Sequence, residues 1–404
     1  MGTIMSKKRQ VTNRIAHIVV AAVTASAGLG ACSAKNPLAP AATGLTCSAG
    51  AGAAVTLVIG ARANTFAPAP VPDPISKLLN EAAKASAAVR VIRLDGRPAV
   101  TLEATFHSSS KNSDSLTHDL NLFLTRLEGE IASVRAKAPE ADVLGALSLA
   151  AKVTPTGGTI VLIDSGLQTV EPLRYEDADM LTADPSSVTQ YLRSTMQLPD
   201  LRGASVVLVG TGATASPQSP LPQSLVDNLV QTWRAIAKGA GASCVEDLQI
   251  TSRAATSGVL PSVSIVESPS APNVFGSCSN NNALLGPAEG FGFLPGTATL
   301  SDPAKTRDIL SGIAPAIIEK RAKVHLVGMT DSEGAESANL QLSKARADAV
   351  KAILVALGVS ADAIDATGVG SGGPFHIPDR DGHGVLIPTA AAHNRAVVLQ
   401  VQCT

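Results

Sequence analysis

The segment 324–346 changes from a strand pattern to a helical pattern, and this change limits the possible folds more than any other feature. Residues 324–329 form a short apolar run between polar residues, which predicts a buried strand. Gly334 marks a turn, and from about residue 335 the apolar residues recur at helical spacing. Asn339 and Arg346 fall on that same helical face. A buried arginine is costly unless an acceptor meets it, and Asp331, directly after the strand, is the candidate partner.

An ion pair between Asp331 and Arg346 has two interpretations. It could be structural, since structural pairs are common in folded proteins. The order of the surrounding residues favours a binding site, because it resembles the signature of the OmpA-like peptidoglycan-binding domain family. Every fixed position of that signature is present at its own spacing: Thr330, Asp331, Gly334, Asn339, Leu342, Ser343, Arg346 and Ala347.

The resemblance extends on both sides of this signature and covers roughly residues 285–402. Upstream, residues 293–300 resemble the first strand of the family and the turn after it. Downstream, the matching positions are Gly358, Val359, Ile364, Gly368, Val369, Gly370, Pro374, Asn394 and Arg395. The resemblance therefore implies a small α+β domain at residues 285–404.

The resemblance also implies a ligand, which is the peptide stem of peptidoglycan and above all its meso-diaminopimelate residue. The side chain of that residue ends in an ammonium and a carboxylate, which require an acid and a base close together. By this resemblance, Asp331 binds the ammonium and Arg346 binds a carboxylate through two hydrogen bonds. Asn339 binds peptide groups, Arg395 closes the site, and Thr330 completes the set.

Two positions depart from the pattern of the family. Met329 stands where the family usually has histidine or tyrosine, and Ala396 stands where a second arginine is common. Neither change removes the acid and base pair. Both changes predict a weaker electrostatic rim around the site.

The N-terminus predicts export and lipid attachment. A basic head precedes the apolar run 15–29, which is typical of a secretory signal peptide at residues 1–31. The run ends in Leu29-Gly30-Ala31-Cys32, which resembles the lipobox of bacterial lipoproteins, so Cys32 is the predicted lipidation site. The alternative is ordinary cleavage that leaves Cys32 as a plain thiol. Gly2 fits a myristoylation pattern, but the leader favours the lipobox. Residues 32–53 form a Pro/Ala/Gly-rich tether.

Four cysteines remain if Cys32 carries lipid, and an even number in an exported chain predicts disulfides. Three pairings are possible. The simplest gives each domain one bond, Cys47–Cys244 and Cys278–Cys403. Each bond would contribute at most about 4–5 kcal/mol in the chain-entropy model.

Residues 54–249 predict a doubly wound α/β domain with a mostly parallel sheet, because apolar strand patterns alternate with helical patterns. One predicted hairpin, residues 89–106, follows the first helix, and this topology resembles the von Willebrand factor A fold. That fold binds a divalent metal where its first strand ends. Here the loop 60–64 lacks the oxygen ligands, and Arg62 is expected to pair with Asp164 instead, so we predict no metal. The turn 210–212 lacks the full glycine pattern of a nucleotide site.

The whole chain is predicted to be a membrane-anchored lipoprotein of the bacterial cell envelope that links the membrane to the cell wall. A connector at residues 250–284 joins its two domains. The net charge of −1 gives no reason to expect nucleic acid as a partner, and no cofactor is expected. We predict no enzymatic activity, because the histidines show no metal or triad spacing: His325, His376, His383 and His393. The alternative function is adhesion or scaffolding, in which the first domain binds a protein partner and the second only anchors it.

Overall fold

The computed structural model describes residues 45–47, 50, 52–251, 253–268, 281–287 and 290–402. The predicted signal peptide, Cys32, Cys278 and Cys403 lie outside these residues. Both domains belong to one compact unit of the chain. Among the described residues, every helix is too short or too polar to span a lipid bilayer.

The first domain is built on a six-stranded sheet with the order β3-β2-β1-β4-β5-β6. All neighbouring strands are parallel except β2 and β3, which form the predicted antiparallel hairpin. The strands are β1 (Val55–Gly60), β2 (Val89–Leu94), β3 (Ala99–Ala104), β4 (Thr159–Ile163), β5 (Ser205–Val209) and β6 (Cys244–Leu248). This mostly parallel α/β sheet confirms the predicted fold class. The three central strands β1, β4 and β5 are buried throughout, as expected for continuous apolar runs covered on both faces.

Helices cover both faces of this sheet because alternate residues of each strand point to opposite sides. The helices are α1 (Asp73–Lys84), α2 (Ser113–Ser133), α3 (Val143–Val153), α4 (Pro185–Ser194) and α5 (Gln223–Gly239). On β1, Val58 belongs to the core under α3, α4 and α5, whereas Leu57 and Ile59 belong to the core under α1 and α2. The single tryptophan of the chain, Trp233 on α5, is buried in the first of these cores.

The chain after β6 packs back onto the first domain before it reaches the second. Phe66 and Ala255 form an isolated antiparallel bridge. Val266 is buried in the core of the first domain, and its backbone exchanges two hydrogen bonds, of 2.7 and 2.8 Å, with the side chain of Gln218. Residues 253–268 of the predicted connector therefore pack against the first domain and form part of it.

A disulfide joins the segment before β1 to the start of β6. The bond connects Cys47 and Cys244, whose Cα atoms lie 5.6 Å apart. This half of the predicted pairing is confirmed, and the other half falls outside the described residues. The backbone amide of Cys47 also donates to a carboxylate oxygen of Glu246, over 2.8 Å.

The second domain has a four-stranded sheet with the order β7-β10-β8-β9. Its elements are β7 (Asn281–Leu285), α6 (Pro303–Glu319), β8 (Lys323–Gly328), α7 (Glu336–Ala356), β9 (Ile364–Gly368), α8 (Pro388–Asn394) and β10 (Val397–Gln402). β8 and β9 are parallel and connected through α7, whereas β10 runs antiparallel to β7 and β8. Helices α6 and α7 cover one face and bury Leu310, Ile317, Val350 and Leu354 against it.

Residues 293–300 were predicted to form the first strand of this domain and the turn after it, and the strand part of this prediction is wrong. The first strand is β7, and Phe293 and Leu300 are joined only by an isolated bridge that closes a turn. This segment carries Pro295 and Gly296, and Gly296 has a φ of +66°, which favours a turn over a strand. The turn reaches over the N-terminal half of α7 and so contributes to the site described next.

Candidate functional site

The core of the site is the connection between β8 and α7. Gly334, with a φ of +90°, allows the chain to reverse. The Asn339 side-chain nitrogen donates to the backbone oxygens of Asp331, over 3.3 Å, and Glu333, over 3.0 Å. Asn339, which was predicted to bind peptide groups of a ligand, lines the cavity described below, and its amino group also holds this loop against the first turns of α7.

Helix α7 lies unusually close to the strands beneath it. A Cβ atom at Gly328 would collide with the backbone oxygen of Ser343, so only glycine fits there. The Ser343 hydroxyl accepts a hydrogen bond of 2.9 Å from the backbone amide of Gly370. This close packing directs Arg346, one turn further along, across the end of β8.

Arg346 is a buried guanidinium that contacts backbone oxygens and an aromatic ring. Only 3% of the residue is exposed, its Nε donates to the backbone oxygen of Thr297 over 3.1 Å, and its Cζ lies 5.1 Å from the ring centre of Phe293. Burial lowers the pKa of Arg346 to about 10, with partial compensation from Asp331 and further lowering from Arg395. Arg346 therefore remains a cation at neutral pH. No carboxylate of a described residue lies within ion-pair distance of it.

Asp331 pairs with Arg395, so the predicted pair between Asp331 and Arg346 is wrong. One carboxylate oxygen of Asp331 accepts from Nε of Arg395, and the other accepts from the amide of Glu333 over 3.0 Å. Arg395 directly follows α8, which brings its side chain to the end of β8 from the neighbouring strand β10. The structure thus collects Asp331, Arg346 and Arg395 at one place, but with a different partner for the acid.

The loop that carries Arg395 is fixed by a polar cluster that the sequence did not reveal. Asn394 is fully buried, and its side-chain nitrogen donates to the backbone oxygen of Ile377 over 2.8 Å and to a carboxylate oxygen of Asp379 over 3.2 Å. Asp379 also accepts from the amide of Ser332 over 2.8 Å. Burial acts to raise the pKa of Asp379, but these hydrogen bonds hold it below its ordinary value. Asp379 therefore ties the Arg395 loop to the Asp331 loop.

The two positions that depart from the family pattern are both inside the domain. Met329 and Ala396 are fully buried, form a small apolar cluster with Val327 and Val398, and are joined by a backbone hydrogen bond of 2.9 Å. Their side chains extend the core between β8 and β10. Because both side chains lie in the core, the electrostatic rim of the site is formed by the charged groups that are present there.

Asp331, Asn339, Arg346 and Arg395 line a cavity of about 670 Å³. This volume is in the range of roughly 300–1,000 Å³ that is usual for pockets of small ligands. Cationic and anionic groups line it together: Arg346, Arg395, Lys305, Asp331, Glu333 and Asp302. The Thr330 hydroxyl is also at this cavity, is buried, and has no hydrogen-bond partner among the residues that the structure describes. The arrangement suits a ligand that carries both charges.

Sequence reasoning missed Lys305, Phe293 as an aromatic support for Arg346, and all lining residues from the first domain. The resemblance covered Phe293 but assigned it to a strand. Lys305 lies next to the helix cap Asp302, whose carboxylate accepts from the Lys305 amide over 2.9 Å. A capping pattern at the start of α6 was the only available signal.

The loop after β1 in the first domain holds the expected ion pair. Arg62 and Asp164 approach to 2.7 Å, and both side chains are almost fully buried. The space beside Asp164 is about 20 Å³, room for about one water molecule. No cluster of three or more metal-ligating side chains is present among the described residues.

The model of the OmpA family matches residues 292–382. The C-terminal domain is an OmpA family domain. Outer membrane protein P5 of Haemophilus influenzae is 43% identical over 83 residues, which cover 20% of this chain and 23% of that protein. The probable lipoprotein YiaD of Escherichia coli K12 is 35% identical over 98 residues, 24% of this chain and 44% of YiaD.

A solved structure is also similar to the OmpA family domain. The peptidoglycan-associated lipoprotein from Burkholderia pseudomallei has 25% sequence identity and a TM-score of 0.23, and the match covers 28% of this chain and 87% of that one. The present chain spans less than half the length of either curated relative. The similarity to these relatives is thus a similarity of the C-terminal domain.

Proposed function

We propose that this protein binds peptidoglycan non-covalently, and that its OmpA family domain holds the diaminopimelate residue of the stem peptide. The observation that carries the proposal is Arg346, a buried cation that lines a cavity and forms no ion pair with a carboxylate of the described residues. Asp331 compensates its charge only in part, so an incoming carboxylate would lower the remaining cost of burial. The similarity to a lipoprotein named for its association with peptidoglycan supports the same ligand.

The rest of the cavity fits the other groups of such a ligand. Asp331 lies at the same cavity and can share its carboxylate between Arg395 and an ammonium group, because a carboxylate accepts several hydrogen bonds. The unpartnered Thr330 hydroxyl can donate to a carboxylate or to a peptide oxygen. In this arrangement the acid takes the ammonium end of diaminopimelate, and Arg346 takes the carboxylate end through its planar guanidinium.

The expected affinity of one such site is modest. Each hydrogen bond to a charged group contributes about 1.5–3 kcal/mol, and part of that gain is lost in ordering the ligand. Attachment of the protein to a membrane that faces a polymer of repeated stems would raise the effective concentration. We therefore propose that lipidation at Cys32 and wall binding act together, so that the protein links the membrane to the cell wall.

The test is co-sedimentation of the full chain with purified sacculi that contain diaminopimelate. Arg346→Ala and Asp331→Ala should each weaken binding at least tenfold, because each removes one of the two charged groups proposed to bind the ends of the ligand. Arg307→Ala is the matched control, since Arg307 is exposed on α6 and does not line the cavity. Circular dichroism shows whether each variant is folded. Wild-type binding by a folded Arg346→Ala variant would refute the site.

A further inference from the structure

The cavity at Arg346 has two walls, and only one of them belongs to the OmpA family domain. The second wall comes from the first domain. It consists of the start of α4, the residues just before α4, and the first turns of α5. Its members are Thr182, Asp184, Pro185, Ser186, Ser187, Ser224, Leu225 and Asn228.

A chain of polar contacts connects the two walls at Arg395. Nη2 of Arg395 donates to the Ser187 hydroxyl over 3.0 Å, and that hydroxyl donates to a carboxylate oxygen of Asp184 over 3.1 Å. Arg395 is thereby held between Asp331 of its own domain and Ser187 of the first domain. Close to this contact, Nδ1 of His393 lies 3.5 Å from a carboxylate oxygen of Asp179.

Asp184 is the capping residue of α4 and carries a negative charge at this wall. Burial acts to raise its pKa, but hydrogen bonds from Ser186 and Ser187, together with the nearby Arg395, lower it below its ordinary value. The amide of Ser187 donates to Asp184 over 2.9 Å, which closes the cap. The second wall is thus locally ordered by its own hydrogen bonds and does not depend on a ligand for its shape.

The two-walled cavity is larger than one zwitterionic side chain needs. A volume of about 670 Å³ is typical of pockets that enclose a whole drug-sized molecule. The hydroxyls of Ser186 and Ser187 in the second wall already donate to Asp184, so they can act only as acceptors towards a ligand. The wall also offers the Ser224 hydroxyl and the side-chain oxygen of Asn228, whose nitrogen is already used in hydrogen bonds to Leu181 and Ala183. Small polar groups of this kind fit peptide amides. The buried hydroxyl of Thr330, which has no hydrogen-bond partner among the described residues, lines the same cavity from the side of the OmpA family domain.

We infer that the first domain is part of the binding site, and that the second wall of the cavity binds the peptide groups next to the diaminopimelate residue in the same stem. This inference rests on the proposed function. Its consequence is that the first domain helps to set the affinity for stem peptides, in addition to any protein partner that it binds.

The test fills the cavity from the first domain and leaves the OmpA family domain unchanged. Ser224 is exposed at the cavity in the first turn of α5, so Ser224→Trp places a large ring there. Gln223→Trp is the matched control, because Gln223 is the adjacent exposed residue of the same helix and does not line the cavity. Ser224→Ala separates the effect of bulk from the loss of the hydroxyl.

The measurement is calorimetric titration of the full chain with a soluble disaccharide tetrapeptide that contains meso-diaminopimelate. We expect Ser224→Trp to weaken binding at least tenfold, and Gln223→Trp and Ser224→Ala to stay within about twofold of the wild type. Arg346→Ala should abolish binding. If Ser224→Trp binds as well as the wild type while Arg346→Ala does not bind, the second wall is refuted and the proposed function stands. If Arg346→Ala also binds normally, the proposed function itself fails.

Discussion

The buried ion pair of the first domain allows a quantitative test of how its β1 and β4 ends are stabilised. Arg62 is 1% exposed, and Asp164 accepts from the backbone amide of Gly166 over 2.8 Å in addition to its contact with Arg62. Replacement of Arg62 by methionine keeps most of the volume but leaves the carboxylate buried without a counter-charge. Removal of one partner of such a pair costs about 3–5 kcal/mol.

The double variant Arg62→Met/Asp164→Asn should recover most of this loss. It removes both charges, and asparagine retains an oxygen for the Gly166 amide. Replacement of a whole buried pair by neutral groups is often close to neutral in stability. Each single change should cost about 3–5 kcal/mol, and the double variant should cost much less than their sum. We therefore expect a coupling energy of at least about 3 kcal/mol between the two positions, which is a large fraction of the roughly 5–15 kcal/mol that stabilise a typical domain.

Trp233 provides the assay. It is the only tryptophan of the chain and is buried in the first domain, where its indole nitrogen donates to the backbone oxygen of Gly166 over 2.9 Å. Its fluorescence in urea therefore reports the unfolding of this domain alone. With an m value of about 3 kcal/mol/M, Arg62→Met should lower the urea midpoint by about 1–2 M. A loss below about 1 kcal/mol, or strict additivity of the two single changes, would refute this reasoning.

Four further predictions concern separate features. The lowered pKa of Asp379 means that its contribution to stability is complete above its ordinary value of 3.8 and is lost as the pH falls through the lower folded value. The difference in thermal stability between the wild type and Asp379→Asn, measured by circular dichroism, should therefore shrink on acidification, and a constant difference would contradict this. Mass spectrometry of a non-reduced digest should show Cys278 linked to Cys403, and two free thiols would disprove the pairing. Radiolabelled fatty acid should enter the wild type and not Cys32→Ser; equal labelling would place the anchor elsewhere. Titration with magnesium, manganese or calcium should give no saturable heat, and a stoichiometric isotherm that disappears in Asp164→Ala would prove this wrong.

The central strands of the first domain, β1, β4 and β5, could be predicted closely from the sequence because they are nearly continuous apolar runs rich in β-branched residues. The predicted strand at residues 159–163 coincides with β4, for example. β7 was missed because its sequence, Asn-Asn-Ala-Leu-Leu, shows no strand alternation. Its strand character depends on pairing with β10, which is distant in the sequence. Local patterns do not report such a contact.

The site could be predicted as a set of residues but not as a set of contacts. The resemblance to the family implied that Asp331, Arg346 and Arg395 lie together, yet two arginines compete for one carboxylate. The contacts of Arg346 with Phe293 and Thr297 fix the position of its side chain, and this position decides which arginine reaches the carboxylate. The wall from the first domain depends on how two domains meet, and no periodicity or spacing within either domain encodes that.

The Cys47–Cys244 bond also determines how the protein carries mechanical load. A pull on the chain from its N-terminal side reaches Cys47, passes through the sulfur atoms to the first residue of β6, and leaves towards the OmpA family domain after Leu248. Residues 48–243 lie inside the covalent loop and are bypassed. Tension between an anchor and the wall would therefore not pull β1 out of the centre of the sheet, and we expect reduction of this one bond to lower the force at which the first domain unravels.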